Sequence, residues 1–148
     1  MNQTLKALYA LIRIALKEER PVEFPESVDW IELLEYAKTQ GVAAIAMDGL
    51  QTLINKIGFS PVGLDVKAKL QLYALAMSIE RRHIKQIESG KEVASIWHKA
   101  GIRTLVLKGF AFAQYYPKPM QRLASDMDCY LCGGYEVGNR EMECLGIK

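Results

Sequence analysis

Asp126 and Asp128 stand one residue apart in R-L-A-S-D-M-D-C-Y-L, residues 122–131, inside an apolar run with the composition of a β-strand. Aspartate is among the residues strands most avoid, so the pair needs a reason. Side chains alternate faces along a strand, which sends both carboxylates one way and Met127, Cys129 and Leu131 the other. Two like charges about 6 to 7 Å apart, two strand rises, repel unless something cationic lies between them. A divalent ion would serve, Mg²⁺ or in its place Mn²⁺. Mg²⁺ held by one or two carboxylates and by substrate phosphates is the usual arrangement where nucleotides are handled. Two such ions shared by the pair would orient an attacking hydroxyl and steady a departing pyrophosphate.

Upstream, V-L-K-G-F-A-F-A (106–113) reads as a strand, then Lys108-Gly109, then a helix start. Unpaired N–H groups at a helix N-terminus attract anions, and a glycine there lets an anion approach the backbone. Lys108 adds a full positive charge. The pair fits a phosphate seat; a lysine lying along apolar surface beside a turn glycine is the plainer alternative. Arg122 suits either a forked contact to phosphate or an ion pair that holds Asp126, and Ser125 lies beside them.

These residues need elements to position them. Leu5, Leu8, Tyr9, Ile12, Ala15 and Leu16 follow helical spacing and make one apolar stripe. After a connector at Pro21 to Pro25, Ser27 or Asp29 caps a second helix carrying Trp30, Leu33, Leu34 and Ala37, stopped at Gly41. A third helix ends at Gly58. Ser60 as N-cap, with Pro61 at the first helical position, announces a long fourth helix, from about residue 64 to residue 98. Leu70, Tyr73, Ala74, Met77, Ile84, Ile87 and Trp97 are among its apolar positions, and Ser89-Gly90 is a candidate break.

The pattern changes at Ala100-Gly101. Residues 102–107 predict a buried strand, F-A-F-A-Q-Y-Y a short helix stopped by Pro117 and Pro119, residues 125–132 a second strand, and 136–145 a further helix. The fold class is α+β, a helical region over 1–99 followed by a sheet unit over 100–148. The closing G-I-K echoes G-I-R at 101–103, which enters the first strand, so a longer protein continuing into another strand is expected, a frayed tail being the alternative.

Composition narrows the rest. A chain of 148 residues, half of them hydrophobic, supports one ordinary domain with a core. A net charge of +2 does not indicate nucleic acid or an acidic membrane as partner, and it leaves small anionic ligands open. Lys6 and Arg13 interrupt the first apolar stretch, and no run approaches a membrane span, so the expectation is a cytoplasmic protein with no membrane partner. Self-association through the helices stays open. Cys129, Cys132 and Cys144 are an odd number, and the C-x-x-C would aim its sulfurs at opposite faces of a strand, so buried free thiols are expected. Arg81, Arg82 and Lys85 read as a solvated face balanced by Glu80 and Glu88, and Trp30 and Trp97 as core.

The stretch L-V-L-K-G-F-A-F-A-Q-Y-Y-P-K-P-M-Q-R-L-A-S-D-M-D-C-Y-L resembles the core of the uncharacterised nucleotidyltransferase family, a branch of the DNA polymerase β-like nucleotidyltransferase superfamily. The resemblance lies in the L-K-G motif, the short helix, the arginine and the D-h-D strand. It covers residues 101–148, while the preceding helices match only in general pattern. It implies the start of a nucleotidyltransferase-type mixed sheet with flanking helices. It also implies Asp126 and Asp128 as metal-binding catalytic carboxylates, Lys108 and Gly109 as the nucleotide phosphate motif, and Arg122 and Ser125 as site-shaping or phosphate-contacting residues.

The implied reaction is Mg²⁺-dependent transfer of a nucleoside monophosphate from a nucleoside triphosphate to an acceptor hydroxyl of unknown identity. Two departures stand out: Lys-Gly replaces the superfamily's usual Gly-Ser, and the third carboxylate, normally on a later strand, does not follow here. The alternative of a different class is a non-catalytic helical interaction module carrying an incomplete or degenerate core. Glycosyltransferase and haloacid-dehalogenase readings of the D-x-D fit less well. The former needs a larger parallel sheet ahead of the motif, and the latter a small hydroxyl or β-branched residue where Cys129-Tyr130 stands.

Overall fold

The computed structural model describes residues 2–123 and 126–146, with the Phe110 side chain outside that set. Four helices come first: α1 (Gln3–Ala15), α2 (Trp30–Thr39), α3 (Ala43–Ile57) and α4 (Val66–Lys99). Short polar side chains start three of them. The Asn2 side-chain oxygen accepts from the Thr4 N–H, that of Asp29 from the N–H groups of Ile31 and Glu32, and that of Asp65 from the Ala68 N–H. Gly58, at φ +84°, ends α3 in the left-handed conformation.

The fourth helix, expected from about residue 64 to residue 98, runs Val66–Lys99, but its N-cap is Asp65 and not Ser60. Gly63 adopts φ +75°, which an α-helix cannot contain, and residues 61–64 instead form a turn closed by the Leu64 N–H on the Pro61 oxygen. Trp30 secures that turn by donating its indole N–H to the Val62 oxygen at 3.1 Å. Once begun at Val66, α4 continues for 34 residues straight through Ser89-Gly90, so the candidate break is not used. A helical glycine costs about 1 kcal/mol against alanine, too little to stop a helix held by packing along its length.

The core lies among the helices. Ala7, Leu8, Leu11, Leu33, Ala37, Ala43, Ala44, Ala46, Leu50 and Leu72 form one enclosed cluster with Trp30. Its composition corrects the stripe expected on α1: Leu11 is wholly buried, whereas Tyr9 and Leu16 are exposed. The reason is the close approach of α1 and α3. A Cβ added at Gly49 would come within 1.9 Å of the Leu11 carbonyl oxygen, so the seam is built from small residues that a search for large apolar side chains passes over. On α4 the buried line is Ala68, Leu72, Ala76, Ile79 and His83, leaving Leu70, Tyr73 and Ile84 exposed.

Beyond α4, β1 (Arg103–Val106) pairs antiparallel with β2 (Cys129–Cys132), placing Thr104 opposite Leu131 and Leu105 opposite Tyr130. Between them come α5 (Phe110–Ala113) and a 3-10 turn at Pro119–Gln121; α6 (Tyr135–Cys144) follows β2. The fold is thus α+β, mostly helical with a two-stranded sheet.

The first strand is not buried as expected. One face, with Thr104 and Leu131, is half-buried on the side of α4 and α6, while Leu105 and Tyr130 on the other are 57% and 58% exposed. Leu131 packs against Gly138 of α6, where an added Cβ would lie 2.2 Å from the leucine Cδ1, and the Trp97 indole donates to the Gly138 oxygen at 3.2 Å.

Candidate active site

The site forms where β1 ends and β2 begins. The Leu107 N–H donates to the Asp128 carbonyl at 2.9 Å, carrying the ladder one step past the strands and fixing the backbone of the second aspartate. Regular pairing begins only at Cys129, so the strand expected over residues 125–132 is shorter at its start. On the facing strand the chain turns away at Lys108-Gly109, which removes the partner that residues nearer 126 would need.

Gly109 is buried and has φ +64° and ψ −105°, a conformation that penalises any side chain. Its carbonyl accepts from Arg122 Nη1 at 3.0 Å, which ties the turn to the segment after the 3-10 turn. Arg122 therefore acts here as a brace for the Lys108-Gly109 turn, a partner the sequence did not suggest.

Lys108 Nζ lies 3.2 Å from Asp128 Oδ2, with the side chains 67% and 43% exposed. Asp126, two residues before Asp128, is exposed, and Ser125, also expected here, lies outside the described residues. The fold thus brings Lys108, Gly109, Arg122 and Asp128 to one place from positions up to twenty residues apart.

A further ion pair, between Lys118 and Asp48, fastens the approach to the 3-10 turn onto α3. Seventy residues separate these two, and no spacing rule would have found them.

Among the described residues no group of three or more His, Cys, Asp or Glu side chains could hold a metal ion. What the chain offers is two hard oxygen donors on neighbouring positions, which suits a Mg²⁺-type ion completed by substrate phosphates rather than an all-protein cage. The three thiols are free; Cys129 and Cys132 are half-buried and Cys144 is exposed, so none is sequestered as expected. Val106 faces Cys129 and Arg103 faces Cys132, three register steps apart and so on opposite faces of the sheet. Burial pushes the Cys129 thiol up from its ordinary pKa, and the Asp128 carboxylate adds to the rise.

A family model described as an uncharacterised nucleotidyltransferase matches residues 26–132. The chain belongs to this family. The match extends over more than two-thirds of the sequence, and it takes in α2, α3 and α4 as well as the sheet. The helices are therefore as much part of the uncharacterised nucleotidyltransferase unit as the K-G and D-x-D motifs, although only the latter carried a legible resemblance. The matched span stops at Cys132, so α6 lies outside it. No curated protein and no solved structure matches the chain. Among the described residues, no helix is long and apolar enough to cross a membrane.

Proposed function

We propose that this nucleotidyltransferase moves a nucleoside monophosphate from a nucleoside triphosphate to an acceptor hydroxyl at the junction of β1 and β2. One observation carries the reading: Lys108, on a glycine turn braced by Arg122, shares a strand end with the carboxylate of Asp128. Asp126 and Asp128 would hold Mg²⁺ or Mn²⁺. The bound ion would supply charge neutralisation for the leaving pyrophosphate and polarise the acceptor hydroxyl.

The remaining work falls to the chain itself. Lys108 offers the triphosphate a mobile ammonium, and buried Gly109 shapes the turn that presents it. Arg122 keeps that turn in place, and its remaining guanidinium N–H groups are available to a phosphate oxygen. Phosphoryl and nucleotidyl transfer depend mainly on positioning and on neutralising charge, which is what these groups offer.

The test is transfer of label from an α-phosphate-labelled triphosphate, with Mg²⁺ or Mn²⁺, into RNA, protein and small-molecule pools supplied in turn as acceptors. We expect labelling of one pool, reduced at least about a hundredfold by Asp128→Asn, as for loss of a group acting directly on developing charge. Undiminished labelling by Asp126→Asn and Asp128→Asn together would remove the reading.

A further inference from the structure

We infer that Lys108 is the resident counter-ion of Asp128, displaced into water at a cost by metal alone and onto phosphate when metal and nucleotide arrive together, so that the two bind with positive coupling. This rests on the function proposed above and adds a control to it.

The starting point is a conflict of duties. Lys108 is the natural cation for a triphosphate, yet its ammonium stands 3.2 Å from Asp128 Oδ2, against an oxygen proposed to take a metal ion. A Mg²⁺-type ion takes its oxygens at about 2.0 to 2.1 Å, and a divalent ion so placed repels an ammonium held at the same carboxylate. Metal alone therefore has to expel Lys108 into water. Metal arriving with a triphosphate expels it onto phosphate, where its charge is again neutralised.

The surroundings make this exchange local. Asp128 is held through its carbonyl by the Leu107 N–H, and the turn beneath Lys108 through the Gly109 carbonyl by Arg122, so the two backbones are fixed. The Lys108 side chain is two-thirds exposed on a flexible stem and can move without them. Of the neighbouring cations, Lys118 is paired with Asp48, and Arg122 donates one N–H to the neutral Gly109 oxygen. Lys108 is a cation whose partner is itself a proposed metal ligand. A metal that must displace it binds weakly by itself, and the nucleotide that gives it a new partner raises metal affinity; by linkage, metal raises nucleotide affinity by the same factor.

Two readouts on the full chain test this. Free Mn²⁺ is titrated by electron paramagnetic resonance for wild type, Lys108→Met and Lys108→Arg. Acylation of Lys108 is followed by mass spectrometry, with exposed Lys67 as internal reference. Without nucleotide, Lys108→Met should bind Mn²⁺ about two- to fivefold more tightly than wild type, the range set by an exposed ion pair, with Lys108→Arg near wild type.

In wild type, Mn²⁺ alone should speed acylation of Lys108 relative to Lys67, and Mn²⁺ with α,β-methylene ATP should slow it below the metal-free rate. Equal Mn²⁺ affinity in wild type and Lys108→Met, with Lys108 acylation indifferent to Mn²⁺, overturns the inference while leaving the metal site standing. Failure of every variant to bind Mn²⁺, with or without the analogue, overturns the proposed function and this inference with it.

Discussion

Leu33, Leu50 and Leu72 in the helical region are wholly enclosed, whereas Leu105, Leu107 and Tyr130 in the sheet unit stand half exposed. The contiguous core spans residues 7–79, and among the described residues the sheet unit adds Ile102 and Ala113 as buried hydrophobics. The two regions thus divide the work. Helices α1 to α3 and the first half of α4 supply most of the buried apolar surface, and so most of the driving force for folding. The later half of α4 extends that rigidity under a thin two-stranded sheet, which could not stand alone in water. The chemistry we propose lies on the sheet side, where exposed polar side chains can change partners at little cost to the fold.

The largest expected effect tests the helical side. Gly49→Ala forces a methyl group to within 1.9 Å of the Leu11 carbonyl oxygen, and neither helix backbone can yield locally. It should cost about 3 kcal/mol, the upper end of overpacking, and Leu50→Ala about 2 to 5 kcal/mol through cavity formation. Urea denaturation followed by far-ultraviolet circular dichroism checks both, and stability close to wild type for either would mean that the α1–α3 seam is not where the fold is held.

A smaller effect is expected where the sheet unit docks. Trp97→Phe removes the indole donor to the Gly138 oxygen and should cost about 0.5 to 1.5 kcal/mol. Hydrogen exchange locates the loss: amides of α6 and β2 should lose protection while those of α1 and α3 keep theirs. Uniform loss across the chain would show instead that the two regions unfold as one unit.

How much of this was written in the sequence differs between the regions as well. The caps at Asp29 and Gly58 and the strand at residues 103–106 follow from local chemistry, and local chemistry can be read one segment at a time. The α1–α3 seam could not be read that way. It depends on Gly49 meeting the backbone of Leu11, and the alanines around it become core only once the helices touch. The false start at Ser60-Pro61 has a similar origin. The dipeptide is a good helix opening, but Gly63 and the anchoring of the turn by Trp30 override it.

In the site, the adjacency of Asp126 and Asp128 and the lysine–glycine exit from β1 were plain. The pairing of Lys108 with Asp128 and the bracing of Gly109 by Arg122 were not, since both depend on how a connection of about twenty residues folds back.

The mildest prediction concerns the thiol next to the site. Because burial, and secondarily the Asp128 charge, raise the Cys129 pKa, its thiolate forms at higher pH than an ordinary cysteine's. Alkylation of Cys129 by iodoacetamide should therefore need higher pH than that of free N-acetylcysteine. Asp128→Asn should move the Cys129 profile part of the way down, leaving the larger contribution of burial. A Cys129 profile coincident with that of free N-acetylcysteine would contradict the packing of the inner sheet face.

The central claim is that two aspartates and a lysine turn form a seat for metal and triphosphate on a surface the fold does not depend on. The measurement that meets it most directly is calorimetric titration of α,β-methylene ATP with Mn²⁺ into wild type, Asp126→Asn and Asp128→Asn, with a melting curve for each. Exposed substitutions of this kind should hold stability to within about 0.5 kcal/mol. The account predicts unchanged melting together with at least about a tenfold loss of affinity, equivalent to about 1.4 kcal/mol. Affinity equal to wild type in both variants would contradict it.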